Sequence, residues 1–370
     1  MKKQNIYVKE VAQISIQKPL CEEWMLSPML YNEPYVRAQD PNFKEFVTPM
    51  ESRRLGKILK RAIATSLTVV KGSGIAVPDA IITGTGMGCI ENTEHFLSAL
   101  CNEGEQFLKP THFMQSTHNT ISSLIGIYLK CNGYNATYSH RGISFDSALL
   151  DAVMQMESGS IKSALVGGHD EMSPTYYSFM KKSGYVDGAH EICSEAAVSV
   201  MLSTDVANAV ARICGTELMY RPTKQMLRYN FNRLLESAEI DASKLDGVVL
   251  GISGNPAKGD CYDAVLKQLF GDETGCTVKG VPLLRYKNIF GEGFSSSALG
   301  FYAAVCCIRG GYIPKMMYAG RYAESGILSY EPDCLADKAA ENDGVRRLLL
   351  INMAEGRDCA LIILEKVCGK

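Results

Sequence analysis

A pattern that occurs twice constrains this chain more than any other feature: a short apolar strand ending in glycine, then a small-residue helix, then two further buried strands. In the first half, Asp79 to Gly88 (DAIITGTGMG) reads as a strand entering a Gly-rich turn, Ser144 to Ser158 as a helix, and Ser163 to Gly168 and Ala196 to Ser203 as strands. The second half repeats the order with Asp246 to Gly254 (DGVVLGISG), the helix Ser295 to Arg309, and the strands Arg346 to Ala354 and Asp358 to Lys366 (DCALIILEK). Strands alternating with helices predict an α/β fold with largely parallel sheets, and the repetition predicts an internal duplication. The junction falls at Ser203 to Ala211 without a Pro- or Ser-rich linker, so the halves 1–205 and 206–370 are expected to pack as one unit.

With 370 residues, 46% of them hydrophobic and 21% charged, the chain can bury a large core without staples. Its thirteen cysteines are scattered singly, apart from Cys306 and Cys307, with no CxxC spacing for a zinc site or disulfide framework; they read as reduced cytosolic thiols, and neither metal nor cofactor is expected. Met1 to Pro19 lacks an uninterrupted apolar core or small-residue cleavage site, and no apolar run approaches the roughly 20 residues that span a bilayer. Cytoplasmic localisation is therefore expected. A net charge of −2 gives no general attraction to nucleic acid, although Arg53, Arg54, Lys57, Lys60 and Arg61 form a local basic cluster read as a solvated helix face.

In layered α/β sheets ligands collect at the carboxyl ends of strands, here the glycine turns after Ile82, Val166, Gly251 and Met353. Gly84, Gly86 and Gly88 could cradle a pyrophosphate, but the full GxGxxG is missing, with Cys89 where the spacing would continue, so dinucleotide binding is set aside.

Several pieces in order resemble the β-ketoacyl synthases across most of the chain. Ala80 to Gly88 is similar to that family's first strand and Gly-rich turn. Pro110, Phe113 and Asn119 match the segment leading toward its nucleophile, and Gly167 and Gly168 match the Gly-Gly pair that closes the following strand. The resemblance implies a thiolase-like fold, with duplicated βαβ halves in an αβαβα arrangement.

The same resemblance locates a nucleophile elbow at Ser139, His140, Arg141, Gly142, Ile143 and Ser144, with Gly142 where active members carry the acyl-accepting cysteine. Ser144 stands at the start of the predicted helix, where a hydroxyl bonds local backbone more readily than it attacks a thioester. The family's two catalytic histidines belong to the second half, yet no histidine follows His190. Their positions match Ser253, in GISGNPAKGD, and Glu292, in YKNIFGEGFSSSALG, where Lys287 and Gly291 keep the family spacing. We expect Lys287 and Glu292 to pair and fill the cavity; an acid-base role for Glu292 would need burial to raise its pKa. The family's Gly-Phe-Gly-Gly-Thr-Asn loop appears as Met353, Ala354, Glu355, Gly356, Arg357 and Asp358, with one glycine retained.

These matches assign Asn119, Lys287, Gly291, Ala354 and Gly356 to the pocket, and Arg54, Lys57 and Arg61 to docking an acidic acyl carrier protein. The methionines and tyrosines of Met172 to Met180 and Met316 to Tyr318 read either as an acyl tunnel or as core. Three functional readings follow. One is a non-catalytic, chain-length-factor-like subunit that pairs with an active synthase and a carrier protein in bacterial type II fatty-acid or polyketide synthesis, such as an aryl polyene pathway. Another is an acyltransferase rewired around Ser144, Glu292 or His140, and the third is an acyl-binding homodimer.

Overall fold

The computed structural model describes residues 4–187, 191–254, 256–271, 277–278, 280–319 and 344–367. The first half contributes β1 (Ile6–Ile14), β2 (Ala80–Gly84), β3 (Tyr134–Tyr138), β4 (Ser163–Asp170) and β5 (Ala196–Ser203). The second contributes β6 (Ala211–Met219), β7 (Gly247–Leu250), the short β8 (Thr277–Val278), β9 (Val281–Arg285), β10 (Arg347–Ala354) and β11 (Asp358–Lys366). The strands run β8-β9-β7-β10-β11-β6-β1-β5-β4-β2-β3 across one hydrogen-bonded sheet.

Each half has the same internal order and the same directions. β2 is parallel to β3 and β4, and β5 returns antiparallel between β4 and β1. Likewise β7 is parallel to β9 and β10, and β11 returns antiparallel between β10 and β6. The halves meet where β1 pairs with β6 through Ile6 with Ile213, Tyr7 with Arg212 and Val8 with Ala211.

Side-chain alternation along the strands sorts the core into layers. Helices α1 (Lys57–Ser73) and α2 (Thr120–Leu129) cover Ile81, Leu165, Ala197 and Met201 on the outer face of the first half. On the inner face, Ile82, Val166 and Val198 meet α3 (Ser144–Glu157) and, from the second half, α6 (Ser296–Gly310); Leu348, Leu350, Ile362 and Leu364 close the same cluster from the other side. Their neighbours Leu349, Ile351, Leu361 and Ile363 point the opposite way, against α4 (Lys224–Ala238) and α5 (Pro256–Phe270). The result is the expected five-layer αβαβα stack. α6 is buried continuously from Ser296 to Ile308, which is why it is built of small and apolar residues on every side. No described helix is long and apolar enough to cross a membrane.

The basic cluster is not one helix face. A short helix, Pro49–Ser52, is closed by a Thr48–Glu51 capping box, and the chain breaks before α1 begins at Lys57. Arg61 lies inside the protein, only 1% exposed, paired with Asp40 at 2.5 Å and Glu195 at 2.8 Å. It cannot dock a partner in this state, which corrects the sequence assignment. Arg54 is exposed and Lys57 half-buried.

Candidate functional site

Between β3 and α3 the chain makes the predicted elbow. Arg141 takes a left-handed φ of +49°, and the Ser144 hydroxyl closes the turn by donating to Arg141 O at 2.7 Å and accepting from His140 N at 2.8 Å. Ser144 is 1% exposed and engaged with local backbone, as its position at a helix start dictates. His140 turns away, its Nε2 lying 3.4 Å from Asp358 Oδ2 and its Nδ1 3.4 Å from Ser147 Oγ.

The Gly-rich turn after β2 is committed to an internal partner. Asp170 accepts the N–H groups of Gly86 at 2.9 Å and Met87 at 2.7 Å, with hydroxyls of Thr85 at 2.8 Å and Ser295 at 2.9 Å. Burial pushes the Asp170 carboxyl up and these donors work against it. Amides that could have cradled a phosphate are spent on Asp170, which ties the turn to the start of α6. Glycine is required at 84 because a Cβ there would stand 2.3 Å from the Ser144 backbone.

Opposite the elbow, the 191–194 segment lies along 290–293: Glu292 N donates to Ile192 O at 2.7 Å and Ser194 N to Glu292 O at 2.8 Å. Gly291 takes a φ of +80° there, and a Cβ would come within 2.6 Å of Ser194 Oγ. Glu292 is consequently aimed at two lysines. Lys287 Nζ lies 2.9 Å from both of its carboxylate oxygens, and Lys258 Nζ lies 3.5 Å from Oε2. Lys258 also reaches Glu191 Oε1 at 2.7 Å, and the buried Ser253 donates its hydroxyl to that same oxygen.

Burial pushes the Glu292 carboxyl up, but Lys287 and then Lys258 outweigh it and hold it below its ordinary value. The acid-base role that required a raised pKa is thereby corrected. Burial would likewise depress the Lys258 ammonium, yet Glu292 and Glu191 keep it raised and charged. Near neutral pH the site therefore holds Glu292 as a carboxylate and Lys258 as an ammonium.

A cavity of about 330 Å³ lies between elbow and network, bounded by Gly142, Lys258, Lys287, Glu292, Ala354 and Gly356, with Met180, Tyr185 and Phe294 as its apolar wall. Of the positions matched by sequence, Gly142, Lys287, Glu292, Ala354 and Gly356 line this space, while Gly291 does not. Ser253 does not line the cavity and is bonded to Glu191 instead. Asn119 is exposed at the start of α2 and does not line the cavity, because α2 packs on the outer face of the sheet. Met172 and Met180 belong to a small core cluster, and Met317 to the main core, while Met180 alone of the three reaches the cavity.

Sequence reasoning missed Lys258, Glu191 and Tyr185. Lys258 left a trace: a lysine in the first turn of a helix opposes the helix dipole, so its presence there points to a carboxylate partner. Among the described residues no group of three or more His, Cys, Asp and Glu side chains is placed to hold a metal ion.

The family model for the β-ketoacyl synthase N-terminal domain matches residues 23–237. The chain belongs to the β-ketoacyl synthase family. Among solved structures, this synthase homologue is similar to the ishigamide ketosynthase/chain length factor, with a TM-score of 0.79 at 17% identity, covering 99% of this chain and 100% of that one. It is also similar to a ketosynthase in complex with its chain length factor from Xenorhabdus doucetiae, with a TM-score of 0.73 at 16% identity over 98% of each chain. A third likeness is to a type II polyketide acyl-carrier protein in complex with its ketosynthase bound to the hexaketide, with a TM-score of 0.71 at 12% identity, over 98% of this chain and 100% of that one. At these identities the likenesses establish the thiolase-like ketosynthase fold. Among curated proteins no sequence match is found.

Proposed function

We propose that this synthase homologue is a non-catalytic, chain-length-factor-like subunit that pairs with an active ketosynthase and receives acyl chains from an acyl carrier protein, in bacterial type II fatty-acid or polyketide synthesis of the aryl polyene kind. One observation carries the reading. The residue matched to the acyl-accepting cysteine is Gly142, and the residue facing it across the cavity is Glu292, neutralised by two lysines instead of poised as a base. The cavity keeps an apolar wall for an acyl chain while its polar wall is occupied by an internal salt network.

The open edge of the sheet supports a paired state. Among the described residues β3 pairs only with β2, which offers its other edge to another chain, and Tyr134 is exposed on this strand. The neighbours described as a ketosynthase with its chain length factor, and as a carrier protein with its ketosynthase, are the kinds of partner assigned here. We further assign the protein to the cytoplasm, acting as one unit of two halves, 1–205 and 206–370, without cofactor.

Co-expression with an active synthase, followed by size-exclusion chromatography and intact-protein mass spectrometry with acyl carrier protein thioesters, tests the proposal. A stable complex in which only the partner is acylated supports it. An acyl adduct on this chain overturns it in favour of a rewired acyltransferase, and a homodimer that ignores the synthase overturns it in favour of an acyl-binding protein.

A further inference from the structure

The salt network that borders the cavity is balanced in charge. Lys287 Nζ holds both oxygens of Glu292 at 2.9 Å, while Lys258 Nζ lies 3.5 Å from Glu292 Oε2 and 2.7 Å from Glu191 Oε1. Two ammonium groups thus face two carboxylates. The neighbouring donors are committed to the same carboxylates: Ser253 gives its hydroxyl to Glu191, and Gly293 N donates to Glu292 Oε1 at 3.2 Å. Glu355 is the other charged residue on the lining among the described residues, and it is engaged by Arg141 and Arg357, neither of which lines the cavity. The rest of the lining offers apolar surface from Met180, Tyr185 and Phe294, and room at Gly142, where a Cβ would meet only Ala354 Cβ at 3.7 Å.

An uncharged acyl group entering this space leaves the balance intact. An acyl group that ends in a carboxylate brings a further anion to two cations that are both engaged, where burial weakens screening by water. We propose that Glu292 sets ligand selectivity by charge: its carboxylate occupies the cation site of the cavity, so the protein takes uncharged acyl thioesters and refuses those that carry a carboxylate. The proposal rests on the reading above that the cavity receives acyl chains, and it adds the class of acyl group received. Selectivity of this kind comes from a repulsive element built into the site rather than from an added attraction. The test uses the isolated full chain with neither synthase nor carrier protein, so failure to pair with a synthase and failure of selectivity are read separately.

Acetoacetyl-pantetheine and malonyl-pantetheine match in shape and differ by one negative charge, the methyl ketone of the first standing where the second has its carboxylate. In ligand-observed NMR titrations the wild type is expected to bind the acetoacetyl thioester at least about tenfold more tightly. In Glu292→Gln that ratio is expected to fall below about threefold or to reverse, because Lys287 and Lys258 become available to the carboxylate of the ligand. Equal affinities in the wild type, or tighter malonyl binding, overturn the selectivity, as does a preference that survives in Glu292→Gln. Binding of neither thioester overturns the acyl-receiving cavity and the selectivity together. Should Glu292→Gln fail to fold, Lys258→Gln decides. The Lys258 side chain is the most exposed of the four, at 31%, and its loss leaves Glu191 and Glu292 with Lys287 alone, so the ratio is expected to widen by about threefold. An unchanged ratio in Lys258→Gln overturns selection by charge.

Discussion

Lys287 and Glu292 face each other through both carboxylate oxygens at 2.9 Å, with only 10% and 12% of their side chains exposed. Two charges this deeply buried depend on one another. Replacing Glu292 strips Lys287 of its carboxylate, whereas replacing Lys287 leaves Glu292 with the more distant Lys258, so Glu292→Gln is expected to cost about 3 kcal/mol in urea unfolding and Lys287→Met less. The double variant Lys287→Met/Glu292→Gln is expected to lose less than the sum of the two, by roughly 1 kcal/mol or more. Strictly additive losses would show that the two side chains are not coupled.

Arg61 separates structure from docking within one basic cluster. Its guanidinium is enclosed with Asp40 and Glu195, so Arg61→Ala is expected to destabilise the fold by about 3 kcal/mol or more, read from the denaturant midpoint. Arg54→Glu with Lys57→Glu is expected to leave stability within about 0.5 kcal/mol, since the one is exposed and the other half-buried. The same double variant is expected to weaken carrier-protein binding measured by calorimetry. Unchanged affinity would remove the carrier from this surface.

The layered fold was legible because its central strands are buried on both faces and read as unbroken apolar runs. β5 and β11 were located to the residue for that reason. β1 escaped because Lys9 and Glu10 interrupt it; Lys9 is nonetheless 6% exposed, its ammonium reaching Ala207 O and lying 3.6 Å from Asp205. Charge runs misled in the same way at Arg61, whose counter-ions Asp40 and Glu195 come from distant segments. Gly142, Lys287 and Glu292 could be matched one at a time by spacing. Their convergence with Lys258 and Glu191 depends on the crossing of 191–194 over 290–293, which no local pattern encodes.

Gly142 leaves room for the side chain it lacks. A Cβ built there meets only Ala354 Cβ, at 3.7 Å, an ordinary contact. Gly142→Cys is therefore expected to fold with a stability change within about 1 kcal/mol and to present a new thiol at the cavity. Peptide mapping after iodoacetamide is expected to find position 142 alkylated. No condensing activity is expected, because Glu292 is held as a carboxylate by Lys287 and Lys258 and has no proton to donate as an imidazole does. Condensation by this variant would contradict the non-catalytic reading.

Asp146 lies beneath the cavity in the first turn of α3, 1% exposed, with Oδ1 accepting Asn352 Nδ2 at 3.2 Å while Asn352 Oδ1 accepts the Tyr286 hydroxyl at 2.8 Å. Burial pushes its carboxyl up to about 6, against the bonds that favour the charged form. An unfolded aspartate titrates near about 3.9, so between the two values the folded protein holds a proton that the unfolded chain has released. Stability from this group is therefore fully present below the unfolded value and falls as pH rises through the folded one, by about 3 kcal/mol in all. Asp146→Asn removes the titration. The stability difference between variant and wild type, from urea unfolding at intervals between about pH 4 and 7, is expected to move in favour of the variant by that amount. Parallel profiles would mean that Asp146 does not change its protonation on folding in this range.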